Sequence, residues 1–272
     1  MTHIRFWNGN KSEIRQRYEL ALLKTVLSAS GQGFDDASIL EDLTDYPSAE
    51  DEGSIFERQT DLCVTVAGNP KFTEGDYISV NEPLMNGLLG HRLLVIRQSE
   101  SNLFSAIKTS QQLQSKTAGI PATWADAPLF RANDYPVSER GTLDTVFQHL
   151  KNKECDYVAL GVNEIDSLFD QFASNVGGLM IEPTLRLYYP YALVFYVNPN
   201  KPVLADSIQR GLIAIKQSGA FQQLFSQFFS TLLVNADLKQ RCEILLDNPA
   251  LPANLLPKLA PAKTNLLAMP QG

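Results

Sequence analysis

The sequence is poor in the residues that mark several common chemistries. Of its 272 residues only three are cysteine, at 63, 155 and 242. They are widely separated and odd in number, and they give neither a metal-ligand spacing nor a redox Cys-x-x-Cys. Cys63 and Cys155 fall inside apolar, strand-like runs and read as small buried hydrophobes. The three histidines, at 3, 91 and 149, share no motif. There is no Gly-x-Ser-x-Gly elbow, no His-Glu-x-x-His, no phosphate-cradling glycine-rich loop and no Cys–His arrangement. The expectation is therefore a non-enzyme with no catalytic residue, no metal and no cofactor. Basic residues number 23 against 30 acidic ones, a formal charge of −7, and they form no basic cluster. That argues against nucleic acid as a partner. The acidic runs Asp35-Asp36 and Glu50-Asp51-Glu52 sit in hydrophilic stretches and read as solvated charge. No window approaches the roughly 18 uninterrupted apolar residues of a membrane span.

What is present is a sizeable apolar fraction, 44%, enough for one large domain or two lobes. Ile4-Arg5-Phe6-Trp7 reads as a strand. A helix from about Ser12 carries Tyr18, Leu22, Leu23, Val26 and Leu27 and closes at Ser30-Gly31-Gln32-Gly33. Ser38 to Leu43 is a second strand, a short helix spans about Glu52 to Gln59, and Leu62 to Ala67 is a third strand. This alternation is the rhythm of an α/β sheet. Further strands are expected at Leu93–Ile96, Thr117–Pro121, Tyr135–Val137 and Cys155–Leu160, and Leu179-Met180-Ile181 with Tyr188-Tyr189-Pro190 leads the chain back to its last long strand. Helices are expected over Leu103–Leu113, from Ala122 through Phe130, after Thr142 through Leu150, and over Ile165–Phe172. The last dozen residues show no usable periodicity.

The stretch from Tyr188 to Phe229 organises the rest. Tyr191 to Val197 is an unbroken apolar run stopped by Asn198-Pro199-Asn200-Lys201-Pro202, as for a strand buried on both faces. Leu204, Ile208, Leu212 and Ile215 then recur at helical spacing. Gly219 ends that helix, and Phe221, Leu224, Phe225 and Phe228 supply the stripe of another.

Strand, turn, helix, small-residue break and aromatic helix in this order resemble the return strand and closing helices of bacterial extracytoplasmic solute-binding proteins of the type 2, amino-acid-binding class. Those proteins usually have Asp-Gly at the break, where this chain has Ser218-Gly219. The block Pro83 to Ile96, with Gly87-Leu88-Leu89-Gly90-His91-Arg92, resembles an uncharacterised subgroup of that family that carries tyrosine at the position of His91. Trp124-x-Asp126, Gly161-Val162-Asn163-Glu164 and the tail from Leu233 to Pro249 match the same subgroup. The resemblance implies a two-lobed α/β fold, each lobe a mostly parallel sheet flanked by helices and joined by two hinge strands. Lobe one is expected from residues 1–90 plus 194–272, and lobe two from residues 91–193. It implies a monomer that binds a small polar solute, amino-acid-like or another small organic anion or zwitterion, in an inter-lobe cleft by hinge closure. The expected partner is an inner-membrane transporter permease of the ABC type, and the expected location the periplasm. The amino terminus runs straight into a strand, so a processed form with an added Met1 is expected. The other readings are a ligand-sensing domain of a signalling system and, behind it, an enzyme.

In open α/β sheets ligands bind beyond the carboxyl ends of strands. The candidates there are Trp7 and Asn8 after the first strand, Thr65, Gly68 and Lys71 at the third, and Arg92 near the first crossing. In lobe two they are Thr123, Trp124 and Asp126 at a helix start, and Asn163 and Glu164 after a strand. The tryptophans suit stacking, and Asn163 and Glu164 suit an ammonium or hydroxyls. Each has a plainer reading: Trp7 and Trp124 as core, Thr123 as a cap, Asp126 and Glu164 as first-turn acids. The resemblance implies a carboxylate-clamping arginine after the third strand, but this chain has Lys71 nearest that place. Lysine lacks the bidentate fork, so an α-amino acid is not the implied solute above other small polar ones.

Overall fold

A computed structural model describes residues 3–32, 38–46 and 48–268. Met1, Gly33 and the pair Asp35-Asp36 lie outside the described residues. In chain order the first elements are β1 (Ile4–Trp7), α1 (Glu13–Ala29), β2 (Ile39–Asp42), α2 (Ala49–Gly53), β3 (Leu62–Val66), β4 (Ile78–Val80) and β5 (His91–Arg97). Next come α3 (Ser101–Ser105), α4 (Ser110–Leu113), β6 (Ala118–Ile120), α5 (Asp126–Ala132), β7 (Val137–Glu139), α6 (Leu143–Lys151) and β8 (Tyr157–Gly161). They are followed by α7 (Ile165–Leu168), α8 (Ser174–Val176), β9 (Leu179–Ile181), β10 (Leu185–Tyr188) and β11 (Leu193–Val197). The chain ends with α9 (Pro202–Ser218), α10 (Ala220–Ala236), β12 (Cys242–Leu245) and α11 (Leu256–Ala268). No helix among the described residues is long and apolar enough to cross a membrane.

The chain divides into two compact units. The first runs to Met85 and adds Ala192–Ser230 and Pro252–Lys258. Its sheet has the order β2-β1-β3-β11-β4, with β1 parallel to β2 and β3 and β11 antiparallel to β3 and β4. All five residues of β11 are buried, which is why the strand is apolar throughout rather than alternating. Pro202 opens α9 at a position whose N–H would be unpaired in any case, and Gly219 closes it at φ 81°, a conformation that disfavours a Cβ. Leu204, Ile208, Leu212 and Ile215 form its buried face. Tyr18 of α1 anchors the other side of this core. Its ring lies 5.4 and 5.0 Å from those of Phe228 and Phe229, edge to face, and its hydroxyl donates to the Leu84 carbonyl at 2.6 Å.

Gly211 lets α9 lie directly on α1. A Cβ there would sit 2.0 Å from the Val26 carbonyl oxygen, a backbone atom that moves only if the helix moves. Alanine would gain about 1 kcal/mol of helix propensity, but forcing the helices apart costs typically 1–3 kcal/mol or more. The clash wins. Gly211→Ala is expected to lower the thermal midpoint by several degrees in a calorimetric scan, and an unchanged or raised midpoint would refute this account of the crossing.

The second unit comprises Asn86–Tyr191, Thr231–Leu251 and the segment from Leu259. Its sheet has the order β12-β10-β5-β8-β6-β7, with β9 also paired to β5. β5 is the centre, buried at all seven positions and antiparallel to β8, β9 and β10. β6 is parallel to both β7 and β8. Both sheets are thus mixed, because one reversed strand, β11 in the first and β5 in the second, enters a sheet whose other strands run the same way. β12 pairs parallel with β10, from Leu185↔Cys242 to Tyr188↔Leu245. The tail assigned by sequence to lobe one is therefore divided, and residues 231–251 belong to the second unit.

Arg97, 6% exposed, closes the far end of β5. Its guanidinium donates to the carbonyl of Cys155 at 2.7 Å and reaches Glu100 at 2.8 Å and Asp156 at 3.1 Å. At the near end His91 is fully buried against the Tyr188 ring, 4.8 Å between centroids, with Arg186 Nη1 3.3 Å from its Nδ1. Arg186 and Lys263 both pair with Glu243, at 2.9 and 2.7 Å. Burial first, and then the two cations Arg186 and Lys263, lower the His91 pKa from 6.5 to about 3.

Candidate functional site

The first unit places its five sequence candidates separately, each with an internal partner. Trp7 is core, and its indole N–H donates to the Thr44 carbonyl at 2.8 Å. Asn8 is fully buried. Its amide donates to Gln16 O at 2.9 Å and Glu41 Oε1 at 2.7 Å, and its oxygen accepts from Lys11 Nζ at 3.1 Å. Lys11 is itself buried against Glu19 at 2.7 Å, which Arg15 also grips. Burial lowers the Lys11 pKa while Glu19 holds it up. Thr65 Oγ1 accepts from Asn69 at 2.8 Å, and the Gly68 N–H donates to the Tyr196 hydroxyl at 3.0 Å. Lys71 pairs with Glu52 at 2.7 Å, so Glu52, read as solvated, is one of the buried acids. A shallow hollow of about 340 Å³ on this unit is lined by Arg5, Asp61 and Lys201 among others. It lies at the amino end of β1, and Asp61 there already binds Lys201 at 3.0 Å.

The second unit brings four of its candidates together. Arg92 is the second residue of β5, opposite Gly161 of β8 and 3% exposed. Its Nη2 lies 3.2 Å from Asp126 Oδ1 and its Nη1 4.0 Å from Glu164 Oε1. The rings of Tyr189 and Tyr191 flank the guanidinium at 5.3 and 5.2 Å. The Tyr189 hydroxyl donates to Asp126 as well. Burial works against the charge of Arg92, but Asp126, with Tyr189, Tyr191 and Glu164 behind it, raises its pKa above the ordinary guanidinium value. Burial also raises the Tyr189 pKa well above its usual value.

The turn after β8 presents the remaining members. The Val162 N–H donates to His91 O and the Glu164 N–H to Gly161 O, both at 3.0 Å, which fixes the turn against the start of β5. Asn163 is 2% exposed, yet neither its amide nitrogen nor its amide oxygen has a hydrogen-bond partner, and Arg92 Nε also lacks one. A Cβ on Gly161 would meet Asn163 Oδ1 at 2.6 Å, Arg92 Nη1 at 3.1 Å and Glu164 Oε1 at 3.2 Å. Three polar groups therefore converge at the carboxyl end of β8, where an α/β sheet presents its ligands.

Thr123 and Trp124 lie beside this group without joining it. Thr123 is exposed at φ 68° with its N–H donating to Glu139 at 3.1 Å, and Trp124 is half-buried. α5 begins at Asp126 rather than at Ala122, because the chain first makes a turn there, with the Trp124 N–H on Pro121 O at 3.4 Å. Tyr189 and Tyr191 are the members that sequence reasoning missed. Their signal was the run Tyr188-Tyr189-Pro190-Tyr191, absorbed into the opening of a buried strand. Among the described residues no group of three or more His, Cys, Asp and Glu is placed to hold a metal ion. Burial raises the thiol pKa of Cys63, and pushes that of Cys155 up to about 12.

No family model matches the sequence, and no curated protein does. Solved structures do resemble the fold. One is the ligand-binding core of GluR0 in complex with L-glutamate, at TM-score 0.58 and 12% identity over 84% of this chain and 98% of that one. Another is an arginine transport-system periplasmic binding protein from Legionella pneumophila, at TM-score 0.55 and 13% identity over 84% and 100%. A third is a histidine kinase sensor domain with similarity to periplasmic binding proteins, at TM-score 0.55 and 10% identity over 84% and 96%. At these identities the likeness is one of fold. The chain has the α/β fold of the type 2 periplasmic binding proteins.

Proposed function

We propose that this chain is a non-catalytic binding module for a small polar solute, with Arg92, Asp126, Asn163 and Glu164 as its polar anchor. The observation that carries the reading is Asn163, a buried amide with both atoms unpartnered beside a buried arginine. An orphaned buried amide costs about 1–3 kcal/mol. Such a group calls for a partner from outside the chain, a ligand or an ordered water, and the buried arginine beside it favours a ligand. The role that goes with this fold is delivery of the solute to an inner-membrane ABC transporter from the periplasm, the chain acting as a monomer. The second reading, a sensing module of a signalling protein, is favoured by the likeness to a histidine kinase sensor domain.

A thermal-shift screen of amino acids, organic acids, small peptides, polyamines and sugars tests the proposal. A solute at 100 times its dissociation constant stabilises the folded state by about 2.7 kcal/mol, a shift of several degrees. The expected result is at least one solute whose shift is lost in Asn163→Ala. No shift from any class, or a shift indifferent to both Asn163→Ala and Glu164→Ala, would overturn it. Fusing the chain's native neighbours and asking whether the solute changes a kinase output or a transport rate separates the two roles.

A further inference from the structure

Resting on that solute-binding reading, we propose that Arg92 is a built-in counter-ion that withholds Asp126 and Glu164 from a cationic ligand. Asn163 then selects an uncharged solute through a hydroxyl or carboxamide group. Acids at the end of a strand invite an ammonium, yet here both are committed. Asp126 receives Arg92 at 3.2 Å and the Tyr189 hydroxyl, and Glu164 faces Arg92 at 4.0 Å. An incoming ammonium would have to displace the guanidinium, which is 3% exposed and flanked by two tyrosine rings. Displacing it breaks its contact with those rings and strands a buried charge, the costly state for an ion pair.

An anion fares no better. Two carboxylates surround the one cation, and the outward rim of the group is their side chains, 11% and 15% exposed against 4% for that of Arg92. A carboxylate or phosphate would approach through like charge. What the group leaves unpartnered is the Asn163 amide donor and acceptor, both neutral, and one guanidinium N–H, that of Arg92 Nε, whose charge the two carboxylates already answer. Its complement is a group that both accepts and donates without a charge. A sugar or polyol hydroxyl does this with one atom, and a primary carboxamide does it with two. Leaving such a buried pair unmatched is penalised more steeply than a missing methylene, so the amide discriminates strongly.

The test is isothermal titration of the full chain with three sets of probes at equal concentration. The neutral set is D-ribose, myo-inositol and propionamide, the cationic set L-arginine and putrescine, and the anionic set succinate. The expected result is binding of a neutral probe, with the hydroxyl and amide arms identifying which group is read. The cationic and anionic probes are expected to bind at least tenfold more weakly. Asn163→Leu should weaken the neutral probe at least tenfold, and Asn163→Ser, which keeps a single polar atom, should retain part of the affinity and guards against a folding defect. Tight binding of L-arginine or putrescine, lost in Glu164→Gln, would overturn the counter-ion role while leaving the solute-binding reading intact. Neutral binding indifferent to both Asn163 variants, as when Asn163 merely holds a water, would overturn the selection by Asn163. Silence from all three sets, with silence in the wider screen, would overturn both.

Discussion

Replacing Arg92 by leucine is expected to cost about 3–5 kcal/mol of folding stability, the range measured when one partner of a buried ion pair is removed. The reasoning rests on what stays behind. Asp126 keeps only the Tyr189 hydroxyl, and Glu164 loses the cation 4.0 Å away. Lost attraction between the guanidinium and the two rings at 5.3 and 5.2 Å adds to this, up to about 2 kcal/mol when such a pair is desolvated. Leucine returns some apolar burial, about 1.5–3 kcal/mol for a whole side chain, but the charged shell around it denies much of that gain. Calorimetry of the wild type and Arg92→Leu reads the difference as a fall of roughly ten degrees. Asp126→Asn removes the stranded charge while keeping an acceptor for Tyr189. The double variant Arg92→Leu/Asp126→Asn should therefore be destabilised by less than the sum of the two single variants. Additive effects, or an Arg92→Leu protein within 1 kcal/mol of wild type, would show that the pair is not what holds the group together.

The parts of this fold written in the sequence are those set by local pattern. β3, β5, β8 and β11 centre on short apolar runs because both of their faces are covered, and each is found where its run predicts; β1 alternates instead, with Arg5 exposed between buried Ile4 and Phe6. α9 ends at Gly219 because the residue there takes a left-handed conformation. The expected helix over Leu103–Leu113 breaks into α3 and α4 because Thr109 and Gln112 form a capping box, a signal of the Ser/Thr-x-x-Gln kind that the apolar spacing of Leu103 and Leu113 obscured. α11 was illegible for the opposite reason. Pro261 sits inside it, and its buried positions are only Leu259 and Leu266, too few to print an apolar stripe at helical spacing. β4 is three residues at a sheet edge and has no pattern long enough to read. β12 could be read as an apolar stretch, but nothing local says which sheet edge it joins. The site divides in the same way. Arg92, Asp126, Asn163 and Glu164 stand out as polar residues at strand or helix ends, whereas Arg92 meets Asp126 and Tyr189 only through the sheet. Asn8 was chosen for the same local reason, and its engagement by Lys11, Gln16 and Glu41 shows how a buried network imitates a binding residue when only the sequence is in view.

The other large effect lies at His91 and is one of pH. Folding lowers this imidazole from 6.5 to about 3, first by burial and then by the neighbouring charges of Arg186 and Lys263. Between those two values the unfolded chain holds the proton and the folded protein does not. Stability therefore declines as pH falls from about 6.5, and the decline levels off below about 3. At 1.36 kcal/mol for each pH unit, the whole interval amounts to about 4–5 kcal/mol, a large part of the stability of an ordinary domain. The groups that face His91 are Arg186 from β10, Glu243 from β12, Lys263 from α11 and the Tyr188 ring. Glu243 bonds both cations and holds them beside the imidazole. Glutamine at 91 is uncharged at every pH and retains a polar atom for Arg186, so it isolates the titration from the packing. Urea unfolding of wild type and His91→Gln at pH 7, 6, 5 and 4 should give curves that diverge, the wild type losing stability relative to the variant by up to about 1.4 kcal/mol per unit. Parallel curves would mean that the imidazole gains its proton without unfolding, and that the strand start beside Arg92 has room for the charge that its buried surroundings oppose.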